Sequence, residues 1–147
     1  MSPLVAQNKD ILNRDVKHRE AFRPFAPAIL EEFTQDYFEI DRPSPYMLLV
    51  PAVREEKRSR IPAVTHVDGS ARLQTVNKGS NPHFYSLIEK FHQKTGVPVL
   101  LNTSFNVANE PIVETPEDAL RCFLSTGIDA LLVGDYLLMK ANKAGPV

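Results

Sequence analysis

Twelve prolines against only six glycines punctuate this chain of 147 residues, and they limit where regular elements can start. Proline fixes φ near the helical value and carries no backbone donor, so it suits a first helical turn and breaks a helix interior. Two stretches use it as a start. "NPHFYSLIEKFHQKTG" offers Asn81 as N-cap, Pro82 at the first helical position and Gly96 as the stop. Its Phe84, Leu87, Ile88 and Phe91 recur at helical spacing as an inward stripe. "TPEDALRCFLSTG" repeats the plan with Thr115, Pro116 and a closing Gly127. Glu117 and Asp118 lie at the positive end of its dipole, and Ala119, Leu120, Phe123 and Leu124 supply the stripe.

Strand signals fill the intervals. "YMLLVPAV" (46–53) and "VPVLLN" (97–102) read as buried strands, and "ALLVGDYLLM" (130–139) as two strands about a Gly134–Asp135 turn. "AVTHVDG" (63–69) and "ARLQTV" (71–76) read as a hairpin. "FAPAILEEFTQDYF" (25–38) has the pattern of an amphipathic helix with a proline start, and "REEKRSR" (54–60) that of a solvated loop. Strands mixed with helices predict one α/β (α+β mixed) domain over 1–147, a twisted mixed sheet flanked by helices.

A net charge of −1 argues against a general nucleic-acid binder, which needs a broad positive excess. No apolar run approaches the ~20 residues that span a bilayer. The opening "MSPLVAQNKDILNRD" lacks the basic start and apolar core of a secretory signal, so a cytoplasmic setting is the expectation. A single cysteine, Cys122, excludes an internal disulfide framework and a cysteine-rich zinc site. It reads as a small packing residue on the second helix.

Against that near-neutral background, "DVKHREAFRPFAP" (15–27) gathers Lys17, Arg19 and Arg23. Pro24 and Pro27 disfavour a helix, and an extended 16–21 would set Lys17 and Arg19 on one face, with Glu20 on the other. Two cations on one face suit an oxyanion; a solvated strand edge is the plainer alternative. Later, the apolar strand of "PVLLNTSFN" gives way to Asn102, Thr103, Ser104 and Asn106. Small polar groups beyond a strand's carboxyl end can hold phosphate or acyl oxygens, or merely cap a turn. His66 and Asp68 of "THVDG" make a poor metal site at H-x-D spacing, and no further His/Asp cluster supports one. Asp68 reads as a turn cap ahead of Gly69; His18, His83 and His92 read as surface or packing residues.

Lys17-His18-Arg19 and Ser104-Phe105-Asn106 together resemble the paired Lys-x-Arg and Ser-x-Asn signature of YrdC-like domains. "VKHREAFRPFAPAIL", "PAVTHVDGSARLQTV", "NPHFYSLIEKFHQKTGVPVLLNTSFN" and "EPIVETPEDAL" resemble the C-terminal domain of the nodulation- and antibiotic-type O-carbamoyltransferases, over about residues 8–140. The resemblance implies binding of ATP, with Mg2+, and carbamoyl phosphate to form carbamoyl adenylate. An N-terminal, metal-binding, actin-like ATPase-type domain would then pass the carbamoyl group to an acceptor hydroxyl. The sequence departs from the family there, without a match to that domain, so acceptor transfer is not expected of this chain alone and would need a separate or lost N-terminal partner. By likeness Lys17, Arg19, Ser104 and Asn106 are the catalytic candidates, and Arg23, His66, Arg72 and Thr103 the nucleotide-binding ones. Asn109 of "NVANEP" stands where the family usually has glycine; asparagine tolerates the left-handed backbone. The alternative is a non-catalytic module of the same fold that binds nucleotide or a protein partner. A homodimer is a further possible assembly, RNA binding is disfavoured by the charge, and a membrane partner is not expected.

Overall fold

The computed structural model describes residues 1–141. The chain is a mixed α/β protein that divides into two compact units. The first comprises Met1–Asp10 and Phe22–Thr103; the second comprises Ile11–Ala21 and everything from Ser104 onward.

The first unit is built on a three-stranded mixed sheet. Its centre is β1 (Ala26–Leu30), with β2 (Gln74–Val76) parallel on one side and β3 (Val99–Asn102) antiparallel on the other. The helix expected over 25–38 is therefore mostly a strand. All five β1 residues are buried, so the run carries no alternation and imitates a helix stripe. Only its second half is helical, as a 3-10 turn (Glu31–Phe33) followed by one turn of α-helix, Thr34–Tyr37.

Pro27 sits in this central strand opposite Leu101. The Leu101 N–H points away from β1, to the carbonyl of Met1 at 2.9 Å, so the pair is of the non-hydrogen-bonded kind. Pairing with β2 begins one residue later, at Ala28. The missing proline donor thus leaves no ladder bond unmade.

The helix with the Asn-Pro start forms as read, over Pro82–Thr95. Asn81 Oδ1 accepts the N–H of Phe84 at 3.3 Å, and Gly96 closes the helix at φ +72°. Its Ile88 joins Tyr85, Ala28, Leu30, Val76 and Leu100 in the core, with Phe84 and Phe91 packed at the margin. Leu87 was assigned to the inward stripe and is instead exposed, its place taken by Tyr85.

Two strand expectations fail in this unit. Residues 46–53 form only isolated bridges, Leu49 to Leu73, Ala52 to Ser70 and Val53 to Phe38, and Tyr46, Leu48 and Val50 face solvent. Pro51 cannot donate to a ladder, which keeps the pairing irregular. Residues 71–76 do not pair with 63–69: Ala71 and Leu73 donate to the carbonyls of Pro51 and Leu49, and β2 pairs with β1. Pro62 starts a 3-10 turn over Pro62–Val64, and Val67 is wholly exposed, so the apparent alternation at 63–69 is not a strand. The charged 54–60 stretch holds one helical turn, Glu55–Arg58.

The second unit pairs a helix with a hairpin. The helix, Pro116–Ser125, carries a complete capping box: Thr115 Oγ1 accepts from the Asp118 N–H, and Asp118 accepts from the Thr115 N–H. Ala119 and Phe123 pack on Leu131, with Phe105, Val113, Ile128, Val133 and Leu138 around them. Leu120 and Leu124 were expected on this face; both are exposed, and Cys122 is buried in their stead. The hairpin follows the sequence reading, with β4 (Ala130–Val133) antiparallel to β5 (Tyr136–Met139) and Gly134 at φ +55°. The unit also holds a π-helical segment, Leu12–Lys17, that ends on His18 in the left-handed region, at φ 49° and ψ 50°.

Gly127 has a different task from the one read in the sequence. The helix closes on Thr126, in an extended conformation. Gly127 donates its N–H to the Asp15 carbonyl at 2.7 Å, and a Cβ there would lie 3.0 Å from that oxygen and 2.9 Å from the Asp15 Cβ. Close approach to the segment leading into Lys17, not helix termination, requires glycine.

Candidate anion site

Lys17 ends the π-helical segment, and its side chain is almost wholly buried, 3% exposed. Segment 16–21 is therefore not extended, and Lys17 and Arg19 do not share a face by strand alternation. The left-handed turn at His18 sets their directions instead.

The Lys17 ammonium donates into the Ser104–Asn106 loop. Its partners are the carbonyl and Oγ of Ser104 (3.2 Å to Oγ) and the carbonyl and Oδ1 of Asn106, at 2.9 and 2.8 Å. The backbone reinforces the join: the Ala108 N–H donates to the Lys17 carbonyl at 3.1 Å. Ser104 Oγ–H also donates to Asn106 Oδ1 at 2.6 Å, and Asn106 Nδ2 donates to the Glu110 carbonyl at 2.9 Å. Asn109 takes φ +65°, the left-handed value its residue type tolerates. Of the residues singled out in the sequence, the fold joins Lys17, Ser104 and Asn106 in one bonded network, although 87 residues separate the first two.

Every partner of the ammonium among the described residues is a neutral oxygen. Burial, and then the positive charge of Arg19, push the Lys17 pKa down to about 8 from 10.5, with a small opposing influence from Cys122. The thiol is itself buried, and that burial pushes its pKa up. Arg19, half-buried, donates from Nε to Asn13 Oδ1 at 2.8 Å. That acceptor is also neutral. Backbone donors lie nearby: among the described residues the N–H groups from Ser104 to Val107 reach no backbone carbonyl. The Lys17 ammonium, received by neutral oxygens among the described residues, and the positive charge of Arg19 near it form an arrangement suited to an oxyanion.

The remaining candidates belong to the first unit. Arg23 and Arg72 are exposed, and Thr103 is half-buried just after β3. Asn102 spends its amide on Gln74 Oε1 at 2.7 Å. His66 is held by a short relay. Ser70 Oγ–H donates to Asp68 Oδ1 at 2.7 Å, so Ser70 Oγ must accept from His66 Nδ1–H at 3.1 Å. This fixes the neutral tautomer with its lone pair on Nε2, a buried atom without a partner among the described residues. Burial lowers the His66 pKa; Asp68 opposes that and Arg72 adds to it. Asp68 caps its turn as read, accepting the Ser70 N–H at 2.9 Å ahead of Gly69 at φ +81°. His66 lines a cleft of about 430 Å³ with Lys9, Phe22, Pro24 and Asp68.

Sequence reasoning missed Asn13. It is fully buried between Leu12 and Val16, both core residues, and holds Arg19. No local signal marked it: in "ILNRDVK" Asn13 stands beside Arg14 and Asp15 and reads as one more surface polar residue.

Comparison with known proteins decides the lineage. The family model described as carbamoyltransferase C-terminus matches residues 1–140. The chain belongs to that family. It is 50% identical to nodulation protein NolNO of Sinorhizobium fredii over 94% of its length, and 48% identical to NolO of Bradyrhizobium diazoefficiens over 94%. It is 41% identical to the 3'-hydroxymethylcephem-O-carbamoyltransferase of Amycolatopsis lactamdurans over 95%. The aligned segment is only 21%, 26% and 26% of these relatives, so this carbamoyltransferase C-terminal chain spans about a quarter of their length.

Proposed function

We propose that this carbamoyltransferase C-terminal chain binds ATP and carbamoyl phosphate and forms carbamoyl adenylate, which the larger remainder of such a protein delivers to an acceptor hydroxyl. The supporting observation is the buried Lys17 ammonium, received among the described residues by the neutral oxygens of Ser104 and Asn106, with the positive charge of Arg19 near it. The chemistry brings two polyanions together: carbamoyl phosphate releases inorganic phosphate with uptake of water, the carbamate oxygen takes the α-phosphorus of ATP, and pyrophosphate departs. Cations and backbone donors offset the repulsion and the charge that develops on the departing oxygens. Ser104 and Asn106 fix the Lys17 ammonium and the loop beside it. Arg23, Arg72, His66 and Thr103 are assigned to the nucleotide by family likeness.

Among the described residues no group of three His, Cys, Asp or Glu side chains could hold a metal ion. A magnesium ion would accordingly come to the site on the nucleotide's phosphate oxygens, as is usual for this ion. Calorimetric titration with ATP and Mg2+ tests the reading at Arg19, which lies outside the Lys17 bonds. Arg19→Gln is expected to weaken ATP binding at least about tenfold, the worth of one charge-assisted contact. Wild-type affinity in that variant would place the nucleotide elsewhere.

A further inference from the structure

A cleft of about 260 Å³ opens beside the turns that follow β1, in the first unit. Four carboxylates line it, those of Glu31, Glu32, Asp36 and Asp41, against one guanidinium, that of Arg42. In a chain whose net charge is only −1, that is a local concentration of negative charge. The bonds these carboxylates make among the described residues leave most of it in place. Glu31 accepts from Asn77 Nδ2 at 2.9 Å and Glu32 from the Tyr85 hydroxyl, both neutral donors. Asp41 meets Arg42 at 3.8 Å, with both side chains largely in water, where such a pair is worth little.

An acidic surface by itself only gathers counterions; the floor of this cleft sets it apart. Thr34 is the single buried residue among those lining it, at 6% exposure. Its hydroxyl oxygen is buried and has no hydrogen-bond partner among the described residues. A buried hydroxyl left unmet is costly, and native folds keep few of them.

We propose that this cleft binds a slender organic polycation of the polyamine type, its ammonium groups spread over the carboxylates and one N–H donated to Thr34 Oγ1. A metal ion is the other cation an acidic cleft could take. Among the described residues, however, no three acidic side chains converge so as to hold one. Separated carboxylates suit separated ammonium groups. The volume lies below the roughly 300–1,000 Å³ usual for drug-sized ligands, which favours a thin chain over a ring system. Ile40 and Pro43 offer apolar wall to its methylene groups. None of these residues belongs to the Lys17 network.

Calorimetric titration of the full chain with spermidine at low salt tests the proposal, with Mg2+ at equal ionic strength as competitor. Saturable binding of one spermidine that Mg2+ does not displace is expected. No saturable binding, or loss of it to Mg2+ as to any counterion, would overturn the site. Thr34→Val keeps the shape of the side chain and removes the hydroxyl. It is expected to weaken spermidine binding at least about fivefold while the thermal midpoint holds or rises, because the fold sheds an unmet buried group. Wild-type affinity in that variant, or a midpoint well below wild type, would overturn the role of Thr34 and with it the proposal. Asp36→Asn, at an exposed position, is expected to cost about threefold in affinity at low salt. An unchanged affinity there would overturn recognition by charge.

Discussion

At Lys17 a charge sits where water cannot reach it and where the bonding oxygens of Ser104 and Asn106 carry none. The lowered pKa is a stability statement with a definite sign. Below about pH 8 the ammonium is charged in folded and unfolded chains alike, and the fold carries the full cost of burying it and of holding it near Arg19. That cost is relieved as pH rises from about 8 to 10.5, where the folded chain has released a proton that the unfolded chain still holds. Ligand binding runs the other way, because an anion needs the charged form. ATP affinity is expected to stay level up to about pH 7.5 and to fall up to about tenfold per unit above pH 8. A profile flat to about pH 9.5 would show that the Lys17 charge is not used. The meeting of Lys17 with Ser104 and Asn106 was legible from residue types and order, whereas the bond of Arg19 to Asn13 was not. Nor was the local geometry: the π-helical segment and the left-handed His18 depend on Asn13 and on Asp15 being met by Gly127, contacts more than a hundred residues apart in the latter case.

Among the elements, punctuation was the most readable feature. Asn81-Pro82 and Thr115-Pro116 start helices because capping is local chemistry, complete within four residues. The stripes behind those caps were less legible. Leu87, Leu120 and Leu124 turn outward, and Tyr85 and Cys122 turn in, since which face is covered depends on the partner element. Strand β1 was misread as a helix for the same reason: neighbours on both sides remove the alternation that marks a strand. Gly127 gives a test at this scale. Gly127→Ala would drive a methyl group to 2.9 Å from the Asp15 Cβ and 3.0 Å from the Asp15 oxygen. The backbone of Asp15 would have to yield, and with it the segment that carries Lys17. The expected loss is about 1–3 kcal/mol of stability by thermal unfolding, with ATP affinity reduced in the folded fraction. Unchanged stability and affinity would show that the close approach positions nothing.

Taken whole, the chain is a mixed α/β carbamoyltransferase C-terminal segment in two units, each with its own core. Among its described residues no helix is long and apolar enough to cross a membrane. It spans about a quarter of relatives that include an O-carbamoyltransferase; the function proposed above gives adenylate formation to this part and acceptor transfer to the rest of such a protein. That division makes the partial reaction the decisive one. Carbamoyl-phosphate-dependent exchange of labelled pyrophosphate into ATP isolates it, because exchange requires reversible formation of carbamoyl adenylate and no acceptor. The purified chain is expected to catalyse this exchange only when carbamoyl phosphate is present, and Arg19→Gln to lose it. A chain that binds ATP yet gives no exchange would contradict the assignment of adenylate chemistry to these residues.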